Sequence, residues 1–317
     1  MNDNKIHTPV LLERTVELLA PALERDGAIL VDATLGMGGH AEAFLARFPR
    51  IVLVGIDRDL DALAIAGRRL EQFGDRVHLV HAVYDEFERV LSQLSISSVA
   101  AILFDLGVSS LQLDRVERGF SYSKEAPLDM RMDASNERTA AFVIAEYSEL
   151  ELRRIFYEYG DEKLAPRYAS RIVQRREERP IETSADLVDI IIAATPAAAQ
   201  RAGHPAKRVF QALRIEVNQE LAVLERAIPA AINALEVGGR MVVLSYQSLE
   251  DRIVKREVQR RSASTAPRGL PVELPEHRPE LKLLVRGAEL ASDEEKAANP
   301  RATPVRLRAV EKLTEVA

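Results

Sequence analysis

The feature that most restricts how this chain can fold is a pattern repeated in its N-terminal part: a short, apolar run that ends in a polar residue. Ala28-Ile-Leu-Val-Asp32, Ile51-Val-Leu-Val-Gly-Ile-Asp57, Val77-His-Leu-Val-His81 and Val99-Ala-Ala-Ile-Leu-Phe-Asp105 all follow it. Continuous apolar runs of this length read as strands buried on both faces. Amphipathic segments of helical length separate them: Ala41 to Phe48, stopped by Pro49; Asp59 to Phe73, opened by an acid and closed by Gly74; and Phe87 to Leu94. Alternation of this kind builds a parallel sheet through right-handed crossovers. The predicted fold is α/β, a doubly wound, Rossmann-like sheet.

After Asp105 the pattern changes. Residues from about 115 to 205 carry apolar residues at helical spacing, as in Leu150-Glu-Leu-Arg-Arg-Ile-Phe-Tyr157 and Ala185-Asp-Leu-Val-Asp-Ile-Ile-Ile-Ala193, with no buried-strand run. This predicts a helical insertion over residues 116–205, flanked by the two parts of the sheet domain, 1–115 and 206–317. A long helix is expected from Lys207 to Leu235, ending at Gly238-Gly239. A fifth strand over Arg240–Ser245 and a helix over Ser248–Arg261 follow, the latter opened by Ser248 and Asp251 in the manner of a capping box. A Pro-rich loop near 267–279 precedes two late strand candidates, Leu281–Val285 and Pro304–Val310. The polar stretch Ser292–Pro300 between them reads as a mobile loop.

The first strand runs into Ala33-Thr-Leu-Gly-Met-Gly-Gly-His40 and then a helix. A glycine-rich turn there lets backbone approach a ligand and presents helix N-terminal amides. Asp57, at the tip of the second strand, is placed to hold ribose hydroxyls. These features fit a dinucleotide and S-adenosylmethionine alike; they also fit a tight turn that only packs helix on strand. Tyr84, past the third strand, suits either an adenine contact or an ordinary half-buried aromatic. Asp105, at the fourth tip, projects into the crevice where such sheets bind ligands, or else caps a helix.

Composition narrows the chemistry. The chain has no Cys, so it has no disulfide, no thiolate metal site and no cysteine nucleophile. No apolar run approaches the roughly 20 residues of a membrane span, and Met1–Lys5 does not open a signal peptide; a cytoplasmic protein is expected. A net charge of -6 argues against broad, non-specific nucleic-acid binding but leaves room for a local basic face. With no Trp and 5% aromatics, a stacking groove is not expected. His78 and His81 sit on a strand pattern without companion ligands, so no metal site is indicated.

Taken in order, several longer motifs resemble one family. They are His7-Thr-Pro-Val-Leu11, Asp32–His40, Gly55-Ile-Asp-Arg-Asp59, Asp105-Leu-Gly-Val-Ser-Ser110, Gly119-Phe-Ser121, Pro127-Leu-Asp-Met-Arg-Met-Asp133, Lys207–Asn218 and Ser248–Lys255. Together they are similar to the bacterial small-subunit ribosomal RNA methyltransferases acting on the exocyclic N4 of a cytosine, the MraW or RsmH family, over nearly the whole chain. The resemblance implies a methyltransferase fold whose helical insertion recognises substrate, S-adenosylmethionine as cofactor, and 16S ribosomal RNA in the small subunit as partner. It implies that Gly38, Gly39, His40, Asp57, Tyr84, Asp105 and Gln112 surround the cofactor. Two departures stand out: Leu111 where the family usually has Pro, and Tyr246-Gln247 where it often has Phe-His.

An exocyclic amine is a poor nucleophile because its lone pair is delocalised. Asp105 is the candidate acceptor that would orient and polarise it. Arg171, Arg175, Lys207, Arg208, Arg252 and Lys255 are the candidate RNA contacts, drawn from basic groups that also include Arg167, Arg176 and Arg179. Interleaved acids such as Glu177, Glu178, Asp251 and Glu257 allow the same groups to be solvated, salt-bridged helix faces. A monomer or homodimer is expected. Two other classes fit parts of the sequence: a nicotinamide-dependent oxidoreductase, and a non-catalytic assembly protein on a retained scaffold.

Overall fold

The computed structural model describes residues 9–201, 203–267, 274 and 277–314. The start of the His7–Leu11 motif and most of the Pro-rich stretch near 267–279 lie outside the described residues. The chain forms two units, residues 1–107 with 221–317, and residues 108–220.

In chain order the first unit opens with α1 (Leu12–Leu23), β1 (Ile29–Asp32), α2 (Gly39–Arg47), β2 (Val52–Asp57), α3 (Leu60–Leu70), β3 (Val77–His81), α4 (Phe87–Gln93) and β4 (Val99–Asp105). The second unit holds α5 (Ser110–Asp114), α6 (Ala140–Glu146), α7 (Glu149–Glu158), α8 (Ala165–Glu178), α9 (Ser184–Ala194), α10 (Ala197–Gln200) and α11 (Ala206–Asn218). There follow α12 (Glu220–Ala234), β5 (Leu235–Ser245), α13 (Ser248–Arg261), β6 (Leu281–Leu283), α14 (Asp293–Ala298) and β7 (Arg306–Lys312).

The seven strands lie in the order β3-β2-β1-β4-β5-β7-β6. The first five are parallel; β7 is antiparallel to both β5 and β6. Alternate residues serve opposite faces. Leu30, Leu53, Ala101, Leu103, Val242 and Leu244 pack on one side with Leu19 and Phe44. Val31, Val54, Ile56, Ile102, Phe104 and Val243 pack on the other with Phe87 and Ile228. This two-sided burial is why β1, β2 and β4 read as unbroken apolar runs; β3, expected to be buried on both faces, is an edge strand with no buried residue. Full burial of each such side chain is worth about 1.5–3 kcal/mol.

Several expectations need correction. The units part at 107/108 and 220/221 rather than at 115/116 and 205/206, because Val209, Phe210, Leu213 and Val217 of α11 belong to the core of the second unit. The long helix expected from Lys207 to Leu235 is two helices. Gln219, at φ 50, takes the left-handed conformation between them, which ends a helix without Gly or Pro. The fifth strand starts at Leu235, five residues early, and runs through Gly238-Gly239. Ser292–Pro300 contains α14, whose start is capped by the Ser292 hydroxyl accepting from Glu295 N. The start of helix α13 is capped by Glu250, whose Oε2 accepts from the backbone N–H of Tyr246 and Gln247 at 2.9 and 3.0 Å. Asp251 instead pairs with Arg308 at 2.7 Å. Helix α1 carried no sequence expectation.

In the second unit, the family-like motifs knit one another together. Asn218 accepts from Met132 N at 2.7 Å and donates to Met130 O at 2.8 Å. Arg118 donates to the carbonyls of Arg131 and Met132. Gly119 lies against Pro127 and Asp129. Among the described residues no helix is long and apolar enough to cross a membrane.

Candidate active site

The strand order reverses between β1 and β4, the topological switch point at which doubly wound sheets bind ligands. Three acids stand at strand ends here: Asp32 on β1, Asp57 on β2 and Asp105 on β4. The loops that leave these strands are stitched together. Ala33 N donates to Leu103 O at 2.9 Å, Asp105 N to the Thr34 hydroxyl at 2.6 Å, and Leu106 N to Leu244 O at 2.9 Å.

Asp57 anchors the glycine turn. Its Oδ2 accepts from Gly36 N at 2.7 Å and its Oδ1 from Asp59 N at 2.8 Å. Each carboxylate oxygen has a second lone-pair site, so a ribose hydroxyl can still donate to it. Gly36 has φ +53, and a Cβ there would meet nothing closer than 3.9 Å. Backbone at this point is open to a ligand. Gly38 and Gly39 are closely packed against protein neighbours. A Cβ at 38 would press on Ala66 at 3.3 Å, and one at 39 would overlap Pro9 at 2.8 Å.

His40 is buried. Its Nε2 lies 3.1 Å from Val10 O, and its Nδ1 lies 3.6 Å from Asp105 Oδ2. The other oxygen of Asp105 accepts from the Tyr246 hydroxyl at 2.7 Å. Tyr84, half-buried, stands edge-on to Phe104 with ring centroids 5.7 Å apart, and the Arg58 guanidinium lies over it.

The electrostatics favour a cation. Burial raises the Asp32 carboxyl to about 8, and the nearby Asp105 and Asp57 add to the effect. Burial also raises Asp57, offset in part by its two backbone donors. It raises Asp105 against the opposing influence of His40 and Tyr246. It pushes His40 down, so the ring is neutral at neutral pH. Close carboxyls that resist ionising together gain from a positive ligand. A further acceptor lacks a donor: Gln247 Oε1, just past the tip of β5, is buried with no hydrogen-bond partner among the described residues.

Thus Gly38, Gly39, His40, Asp57, Tyr84 and Asp105 all belong to the first unit, at or just beyond the ends of β1 to β4. Gln112 belongs to the second unit. There its Oε1 accepts from Ser109 N and its own N–H donates to the Ser109 hydroxyl, starting α5. Asp32 and Tyr246 were not among the predicted site residues. Asp32 ends the same kind of apolar run as Asp57 and Asp105, which is a usable signal. Tyr246 showed only as a departure from the family pattern.

Of the basic candidates, Arg175 pairs with Glu178 at 3.4 Å. Arg171 donates to Gln174, and Arg208 to Asp161 O. Arg176, from the same basic group, caps α6 by donating to Ile144 O and Tyr147 O. Lys207, Arg252 and Lys255 are exposed and make no ion pair among the described residues. No cluster of metal-ligating side chains occurs among the described residues.

A doubly wound sheet in this order, with an acid-anchored glycine turn at its switch point, has the architecture of a Rossmann-like enzyme that binds a nucleoside cofactor. The chain belongs to the MraW methylase family, whose sequence profile matches residues 4–313. It is 75% identical over 307 residues to the ribosomal RNA small subunit methyltransferase H of Clavibacter sepedonicus, covering 97% of this chain and 96% of that protein. The corresponding protein of Saccharopolyspora erythraea is 62% identical over 310 residues, 98% of this chain and 94% of that one. A solved ribosomal RNA methylase from Streptococcus thermophilus aligns over 99% of both chains, with 15% identity and a TM-score of 0.44.

Proposed function

We propose that this chain transfers a methyl group from S-adenosylmethionine to the exocyclic N4 of a cytidine in 16S ribosomal RNA of the small subunit. The observation that carries the reading is the acid cluster at the switch point. Asp32, Asp57 and Asp105 are buried or half-buried, burial raises the proton affinity of each, Asp105 and Asp57 raise that of Asp32 further, and the three sit beside a glycine turn open to a ligand. The cofactor is a nucleoside with positive charge on its sulfonium and amino groups, which suits this cluster. When bound it supplies an electrophilic methyl group.

In this reading Asp57 holds the ribose hydroxyls, Tyr84 lies by the adenine, and Gly38, Gly39 and His40 shape the pocket wall. Asp105 accepts an N–H of the target amine and turns its lone pair toward the methyl carbon. Orientation in a dry pocket provides most of the acceleration. The second unit, residues 108–220, serves substrate recognition. Arg171, Arg175, Lys207, Arg208, Arg252 and Lys255 are the proposed phosphate contacts, with Lys207, Arg252 and Lys255 the ones unengaged by acids. The enzyme acts in the cytoplasm as a monomer or homodimer.

The deciding experiment is methyl transfer from labelled S-adenosylmethionine to small subunits lacking native methylation, followed by digestion to nucleosides. Label in N4-methylcytidine is expected. Label elsewhere, or none despite cofactor binding, would defeat the reading.

Asp57→Ala supplies a second check. It orphans the Gly36 and Asp59 amides, so the ligand-free protein should lose about 2 kcal/mol of stability. Affinity for S-adenosylmethionine should fall about a hundredfold, as two hydroxyl contacts to a charged acceptor vanish. Urea melts and titration calorimetry read the two effects; unchanged affinity would remove Asp57 from the ribose site.

A further inference from the structure

We propose that Tyr246 is a positioning residue for methyl transfer: its hydroxyl fixes the Asp105 carboxylate so that Oδ2 is presented to the N–H of the accepting amine. The inference rests on the assignment of Asp105 as the amine's acceptor.

Tyr246 Oη donates to Asp105 Oδ1 at 2.7 Å. The phenol is itself held on two sides. Its ring packs on Gly107, where a Cβ would lie 3.5 Å from Cδ2. Its backbone N–H donates to Glu250, whose side chain is buried. Asp105 is anchored through its own N–H to Thr34. The carboxylate therefore has little freedom to rotate, and one oxygen is committed.

The other oxygen faces a group that gives it no proton. A carbonyl can only accept, so the contact of His40 Nε2 with Val10 O puts the imidazole hydrogen on Nε2. In the neutral ring Nδ1 is then a bare lone pair, 3.6 Å from Asp105 Oδ2. An ionised Asp105 thus has a donor at Oδ1 and lacks one from His40 at Oδ2. The amine N–H supplies it.

The same arrangement accounts for the proton. As the new C–N bond forms, the C–S bond breaks and its electron pair returns to sulfur. The nitrogen becomes positive and sheds one proton to Asp105 Oδ2, where the His40 Nδ1 lone pair can accept a hydrogen bond from it. The charged and titratable groups around Asp105 are His40 from α2, Asp32 from β1 and Tyr246 beyond β5, with Glu250 and Glu295 acting on the tyrosine.

The test compares wild type with Tyr246→Phe, which keeps the ring and removes the donor. On unmethylated small subunits kcat should fall about tenfold, the loss expected for one hydrogen bond to a charged group, with KM for S-adenosylmethionine within about twofold. The hydroxyl favours the ionised carboxyl, so the acid limb of the kcat profile should move to higher pH. The readout without turnover is 13C NMR of the side-chain carboxyls in cofactor-free protein. The Asp105 signal, assigned by its loss in Asp105→Asn, should titrate at higher pH in Tyr246→Phe. Incorporation of 3-fluorotyrosine, which keeps the hydroxyl, should hold kcat near wild type. Wild-type kcat, pH profile and Asp105 titration in Tyr246→Phe would overturn the inference alone. Absence of N4 label with the wild-type enzyme would instead defeat the parent reading.

Discussion

Asp105→Asn should lower methyl transfer by about 100- to 1000-fold at saturating cofactor while leaving the protein as stable as before, or more so. The size is that of removing one pre-aimed polar group from a reacting centre. Asn is nearly isosteric, and its carbonyl can keep the hydrogen bond from Tyr246. Its amide then puts N–H groups where Oδ2 stood, facing the amine hydrogens they should be accepting. The stability prediction follows from the raised proton affinity of Asp105, caused mainly by burial. A carboxyl whose folded pKa lies above its unfolded value contributes stability below the ordinary carboxylate range and loses it as pH rises through the folded value. Replacing it with a neutral amide should therefore raise the melting temperature most at the alkaline end. It should also ease ionisation of Asp32, which Asp105 opposes. Single-turnover labelling with thermal melts across pH checks both halves. Full turnover by Asp105→Asn would end the acceptor role; a large loss of stability would mean that the residue's work is structural.

Gly119→Ala should abolish the fold of residues 108–220. Gly119 has φ +71, a conformation that already disfavours a side chain. The decisive term is space: a Cβ would lie 2.2 Å from Pro127 O and 3.0 Å from Asp129 N. Both obstacles are backbone, and that backbone cannot retreat. Met130 N donates to Arg118 O at 3.0 Å, and the same segment is tied to Asn218 and to the Arg118 guanidinium. Relief requires breaking several of these bonds around the buried Met130 and Met132, for a cost of more than about 4 kcal/mol. Hydrogen exchange should show protection lost across α6 to α9 and α11 and retained in β1, β2 and β4. A loss under about 1 kcal/mol would show that the segment yields more easily than its hydrogen bonds suggest.

These two positions illustrate how differently parts of the molecule can be read. The sheet was legible because burial on two faces writes its own pattern: β1, β2 and β4 are apolar up to a terminal acid, whereas β3, at the sheet edge, is interrupted by His78. The positions of Asp57 and Asp105 at strand tips were legible for the same reason, since each acid ends an apolar run. The family-like motifs pointed to Gly119, yet not to the clash with Pro127, which arises only when two loop segments are brought together.

Other features left no local mark. Apolar periodicity continues across Gln219, so the break between α11 and α12 is invisible until its left-handed φ is seen. Ser292–Pro300 is polar and reads as a loop, but α14 is held by the Ser292 cap and by Glu295 accepting from Leu11 N at 2.6 Å, a partner 284 residues away. Many of the arginines are interleaved with acids, and only the folded chain distinguishes Arg176, spent on capping α6, from the exposed Lys207, Arg252 and Lys255. By itself the sequence determined which segments must be buried and which strand ends carry acids, because burial and backbone propensity act over a few residues. Tertiary structure alone decided that Tyr246, His40 and Asp105, separated by as many as 141 residues between hydrogen-bonded partners, share one carboxylate, because hydrogen-bond geometry depends on where distant segments meet.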